Sequence, residues 1–203
     1  QKPKYEKKYD IEIKNGNLTR SGRTSGIKKL MTVNLLKRLE SSVEAFRLTM
    51  NGMLNLNKAE LRKLDAFNNG ALRLDACATK TVFNYESFDQ DEDGSLNLVH
   101  TDKGKEVKIE YSDIDRVSWK TAMEEDVMIL EKLLSELNKV TPEHDFKLET
   151  LKNIIDEKME KPINAGNKKI IIFSAFADTA NYLYDNLHKW LKEKYNIESA
   201  MIE

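Results

Sequence analysis

Asp89-x-Asp91-x-Asp93-Gly94-Ser95 is the spacing in this chain that comes nearest to a metal site. Carboxylates at alternate positions, with glycine at the sixth, are how the first half of a calcium loop wraps a hard cation. The last loop position, where a bidentate Glu belongs, is His100. The flanking segments do not read as paired helices, so a solvated acidic turn is the better reading. His100, His144 and His188 are scattered, without zinc spacing, and read as surface residues. The single cysteine, Cys77, precludes an internal disulfide and suits a reducing compartment. It has no neighbouring His or basic pair to favour a thiolate, so it reads as a small packing residue. No Gly-x-x-x-x-Gly-Lys-Ser/Thr loop is present to cradle phosphates, and no Asp-Glu-x-His box to hold magnesium. No residue is expected to be catalytic, and none to ligate a metal.

Two further places carry polar chemistry. Lys37-Arg38 falls on the polar side of a predicted helix, where two cations meet either solvent or phosphates. Ser174 ends the apolar run Ile170-Ile171-Ile172-Phe173. Ligands of open α/β sheets gather at that end of a strand. The same hydroxyl could instead cap the next helix.

Composition limits the classes open to the chain. Its 203 residues hold one or two domains, with 33% charged residues, 40% hydrophobic residues and a net charge of −1. No apolar run approaches the roughly 20 residues that span a bilayer. The start, Gln1-Lys2-Pro3-Lys4-Tyr5, lacks the apolar core of a signal peptide. The expected location is cytoplasmic. Basic residues predominate up to Glu40 and acidic ones between Glu86 and Asp126, a pattern that by itself describes two solvated faces.

These residues are positioned by mostly helical elements. Residues 1–25 read as an extended N-terminal segment, with Thr24 or Ser25 as the N-cap of the first helix. From Ile27 through Leu39, Phe46, Leu54 and Leu64 to Phe67, apolar residues recur at helical spacing. Gly52 is the expected weak point, and Asn68-Asn69-Gly70 the stop. A polar, acidic loop fills about 84–112, with Val107 to Tyr111 alternating as a short strand would. A second stripe runs from Trp119 through Val127 and Leu134 to Leu137. The two stripes predict a long antiparallel helical hairpin over residues 26–140, closed by Thr141-Pro142.

From residue 141 the pattern changes. A shorter helix carries Leu148, Leu151, Ile155 and Met159. Ile170–Phe173 reads as a strand buried on both faces. Ala180, Leu183, Tyr184 and Leu187 share one helical face, and Ile197 to Ile202 read as a further strand. The expected fold class is therefore mostly α, a helical hairpin followed by a truncated β-α-β. Such a unit cannot cover both faces of its sheet, so the chain is expected to be a piece of a larger protein.

At these residues a family likeness emerges. Asp145-Phe146-Lys147-Leu148, followed by Lys169-Ile170-Ile171-Ile172-Phe173-Ser174, resembles the start of the second RecA-like lobe of Swi/Snf-type superfamily two helicases and translocases. Ala177-Asp178-Thr179-Ala180-Asn181-Tyr182-Leu183 is similar to the helix after that strand. Val33 to Phe46, with Arg38-Leu39-Glu40-Ser41-Ser42 at its centre, resembles the inter-lobe helix of bacterial members. The resemblance covers about 26–50 and 143–203. It implies that residues 141–203 begin that lobe and that 26–140 are an inter-lobe insertion. The parent protein would be an ATP-dependent helicase using ATP and magnesium, with double-stranded DNA and the remaining helicase lobes as partners. This chain alone would be catalytically incompetent and hold neither cofactor. Ser174, Lys37 and Arg38 would approach the nucleic-acid backbone. A reading from another class is a helical-hairpin adaptor whose exposed stripe recruits a protein.

Overall fold

The computed structural model describes residues 20–71, 77–78 and 109–202. The aspartate-rich motif at 89–95, His100 and most of the acidic loop lie outside them, as do residues 1–19.

Five α-helices dominate the described residues. Helix α1 is Arg20–Ser41 and α2 is Val43–Asn68. Thr24 and Ser25 therefore sit inside α1, and the expected cap there is wrong. The first turn of α1, Arg20-Ser21-Gly22-Arg23, has no apolar residue, so hydrophobic periodicity cannot detect it. Helix α2 also runs unbroken through Gly52. The break falls ten residues earlier, at Ser42, which is extended (φ −155°, ψ 151°). Its hydroxyl accepts from the Ala45 amide at 3.0 Å and so caps α2. Asn69 ends α2 as expected, and Gly70 comes next with φ of +73°. A side chain is strained at that φ, and glycine is not.

Strands among the described residues are confined to Cys77–Ala78 (β1) and Ile109–Glu110 (β2), which pair antiparallel. A 3-10 turn at Tyr111–Asp113 leads to α3, Arg116–Leu137, whose N-cap Asp115 accepts from the Ser118 amide. Helices α2 and α3 form the hairpin arm. At its far end Leu64, Phe67, Tyr111 and Ile114 cluster under Trp119. Nearer the middle, Met50 and Leu54 meet Leu130 and Leu134. The pairing of late α2 with early α3, and the reverse, fixes the antiparallel sense. The far cluster contains a buried polar pair, in which the Tyr111 hydroxyl donates to Glu60 Oε1 at 2.7 Å.

A second 3-10 turn, Pro142–His144, precedes α4, Phe146–Glu160. Helix α5 is Ala177–Tyr195 and ends at Asn196 in the left-handed region. Leu148, Ile155 and Met159 of α4 pack on Leu187 and Leu191 of α5. His188 is half-buried rather than on the surface, stacked on Tyr184 and bonded to Ser199.

The β-α-β ladder expected around α5 is not formed. Residues 167–176 and 196–202 run without helix or strand pairing, and Ile171 and Phe173 are 78% and 90% exposed. A strand needs a hydrogen-bonded neighbour, and among the described residues neither segment has one. A strand's alternation survives in part. Ile170 and Ile197 touch the α4–α5 core. From 196 to 202 burial alternates residue by residue, leaving Ile202 94% exposed. The segment 196–202 thus lies with one side on the helices and the other bare, whereas in 167–175 Ile170 alone is partly buried.

Leu64 is fully buried in the far cluster of the arm. Leu64→Ala is expected to cost about 2–5 kcal/mol by loss of transfer energy and cavity formation, measured by urea unfolding.

Candidate functional site

The polar groups of the chain converge where the arm meets the α4–α5 pair. Three segments distant in sequence build this joint: the α1–α2 break, the cap of α4 and the first turn of α5.

Arg38 lies one turn before the break and is only 3% exposed. Its Nη1 donates to Asp178 Oδ2 at 2.8 Å, and its guanidinium lies 4.9 Å from the centre of the Phe176 ring. The pair joins residues far apart in sequence and brings the end of α1 onto the start of α5. Beside it, Thr179 Oγ1 is hydrogen-bonded to Ser41 Oγ at 2.8 Å and to Ser42 Oγ at 3.0 Å. Thr179 is 5% exposed. The hydroxyls suit one another because each both donates and accepts.

Asp145 anchors the second side. Its Oδ1 accepts from the amides of Lys147 and Leu148, capping α4. Its Oδ2 accepts from the Tyr182 hydroxyl at 2.9 Å. Burial, and then the Asp145 carboxylate, hold the Tyr182 phenol well above the usual tyrosine range. The Lys147 ammonium donates to the Glu40 carbonyl at the end of α1. Arg47 closes the arm. Its Nη2 donates to the Leu137 and Val140 carbonyls at 2.9 and 2.7 Å, satisfying orphan acceptors at the end of α3. Arg47 also pairs with Glu44.

The residues expected to contact nucleic acid divide. Lys37 is exposed and Ser174 is exposed. The Ser174 hydroxyl accepts from the Phe176 amide at 3.2 Å and donates to the Phe176 carbonyl at 3.0 Å, shaping the turn before α5. Arg38 is not on the polar side of its helix. It is buried against Asp178 and Phe176 and does not face solvent, because an ion pair with a desolvated face and a ring beneath it holds the guanidinium inward. The partners missed in sequence are Asp178, Thr179 and Tyr182. The signal present was a buried-side series of small and polar residues, Arg38, Ser42, Ala45 and Thr49, at helical spacing.

The sequence has no phosphate loop, and among the described residues no three His, Cys, Asp or Glu side chains converge to hold a metal. No helix of the described residues is long and apolar enough to cross a membrane.

Breaking a buried ion pair leaves an uncompensated charge. Arg38→Met is expected to destabilise the chain by about 3 kcal/mol, the low end of the range because Asp178 retains some solvent contact. Arg38→Lys is expected to restore part of that loss, and urea titrations of the two variants measure both. Tyr182 gives a pH prediction. Its phenol ionises at a higher pH folded than unfolded, so its contribution is complete below the unfolded value, about 10. It is lost as pH rises from there toward the folded value. Tyr182→Phe should therefore lose less stability than the native chain above that pH, as read from melting temperatures across an alkaline series.

No protein-family model matches the chain, and no curated protein or solved structure matches it significantly.

Proposed function

We propose that this chain is part of an ATP-dependent nucleic-acid helicase or translocase of the Swi/Snf-like superfamily two type, in which it supplies a rigid helical arm and the beginning of the second RecA-like lobe. It has no catalytic activity of its own on this reading. ATP, magnesium and hydrolysis belong to lobes of the parent protein outside these residues, and the parent is a cytoplasmic enzyme.

One observation carries the reading. The two stretches that bear the resemblance, around Arg38-Leu39-Glu40-Ser41-Ser42 and around Ile170 to Leu183, meet in space through Arg38–Asp178 and Thr179 with both serines. A helix lying between the two lobes, as the resemblance implies, is placed to make such contacts. The bare segment at 170–173 and the alternating one at 196–202 support the finer part of the reading. On it they are strands of a parallel sheet. They have α4 and α5 on one face, and further strands of the parent protein beside them. Apolar side chains on both faces are what a parallel strand between two helix layers carries.

The arm acts mechanically. Its helices satisfy their own backbone bonds, and its clusters lock α2 to α3. Motion of the lobe is then passed to the arm through a joint without slack. Double-stranded DNA is met by the exposed groups around that joint. Lys37 supplies charge to a phosphate, and Ser174 supplies a hydroxyl. Arg38 has a different role here from a phosphate contact: it holds these two in place.

Duplex binding by the chain, followed by fluorescence anisotropy between 50 and 200 mM salt, tests the reading. Lys37→Glu is expected to weaken binding and to lower the slope of log affinity against log salt by about 1, the share of one phosphate contact. Duplex affinity and slope unchanged in Lys37→Glu would remove Lys37 from the interface, and no salt-dependent binding by the native chain would favour an adaptor role.

A further inference from the structure

The α1–α2 break is built from contacts that α5 supplies. A single residue, Ser42, is extended between two helices of 22 and 26 residues. The backbone keeps some continuity across it, since the Ser42 amide still donates to the Arg38 carbonyl at 3.0 Å. Its direction is not fixed by that bond alone, because one extended residue has two soft dihedrals. Leu35 of α1 packs on the midway cluster of the arm, and the polar contacts that bear on the break come from outside. Thr179 Oγ1 bonds the hydroxyls of Ser41, the last residue of α1, and of Ser42, the break itself, and Asp178 and Phe176 hold Arg38, one turn upstream.

A further group bears on the α1 side. Asn34 is buried, and its Nδ2 has no hydrogen-bond partner. A buried donor without an acceptor favours any arrangement that lets water reach it. One end of α1 is therefore pinned by α5, while its middle carries a group that gains from release.

We propose that Ser42 is a hinge between α1 and α2, and that the first turn of α5, through Thr179 and Arg38, sets its angle. Sites on α1 and α5 are thereby coupled. Whatever shifts residues 174–179 changes the direction of α1 relative to the arm, and a force on α1 is felt at the turn after Phe173. The two helices are stiff and the break is short, so the motion is a swing about a few dihedrals rather than a bend spread along a helix. This hinge is independent of which ligand the chain binds.

The test is a distance measurement by pulsed electron resonance. Nitroxides are placed at Lys29→Cys on α1 and Arg62→Cys on α2, in a Cys77→Ser background. Lys29 and Arg62 are both exposed. Lys29 lies about 20 Å along α1 from the break, so a swing of about 15° moves it by about 5 Å. The expected result is one narrow distribution for the native hydroxyl set. Thr179→Val, which removes both hydroxyl bonds at nearly constant volume, should broaden it or shift it by about 5 Å. Thr179→Ser should restore it. A second pair across the arm, Arg62→Cys with Thr121→Cys on α3, should keep its distribution in every variant.

An unchanged α1–α2 distribution in folded Thr179→Val overturns the hinge. Equal broadening of both pairs also overturns it, because that is general loosening. If Thr179→Val does not fold, Ser41→Ala takes its place. It leaves the Ser42 cap of α2 intact and is combined with Asp178→Asn to weaken the Arg38 contact as well, and an unchanged distribution in that double variant is equally fatal.

Discussion

The hydrogen bonds of one small side chain hold the two halves of this molecule in register. Thr179 sits at the start of α5 and bonds both serines of the α1–α2 break. A threonine can do this only where three backbones approach closely, and the neighbouring residues allow it. Ala45 and Thr49 are small, buried and on the same side of α2 as Ser42. Arg38, Asp145 and Arg47 then satisfy what close approach leaves exposed: a carboxylate, a helix cap and the last carbonyls of α3. Charge here directs the packing, and the apolar clusters on either side carry the bulk of the stabilisation.

Those clusters are separate. Among the described residues the arm has two, one at its far end and one midway, and the α4–α5 pair has a third. The midway cluster crosses the α1–α2 break through Leu35, and none of the three joins α5 to the arm. The arm and the helix pair are therefore stabilised within themselves and connected by polar contacts, which depend strongly on geometry. Hydrophobic interfaces tolerate sliding, whereas hydrogen-bonded ones permit few arrangements. A two-part body linked in this way is suited to transmitting position.

Much of this architecture is legible in the sequence. The hairpin follows from two apolar stripes with Asn69-Gly70 as a stop. The start of α4 follows from Asp145, an ordinary N-cap. The break at Ser42 is not legible, because Leu39, Val43 and Phe46 continue a helical period across it. Periodicity reports which side faces the core and is blind to a single extended residue. Arg38 is misplaced by sequence reasoning for a different reason. An arginine beside a lysine reads as solvated unless its partner is known, and Asp178 is reached only through the tertiary fold. The isoleucine run, expected as a strand buried on both faces, lies in neither helix nor strand and is largely exposed. Pairing is a property of the neighbour, and no described residue provides one.

The bare edge at 168–173 has a colloidal consequence. Four apolar residues with open backbone donors and acceptors, no proline and no charge among them are a template for cross-chain stacking. Lys168 and Lys169 stand directly before them. Chains stacked parallel and in register would bring those ammonium groups together along the growing assembly, and the repulsion would oppose its growth. The lysine pair therefore acts as a gatekeeper. That protection weakens as salt screens it, so dilute, low-salt solutions should keep the chain dispersed longest.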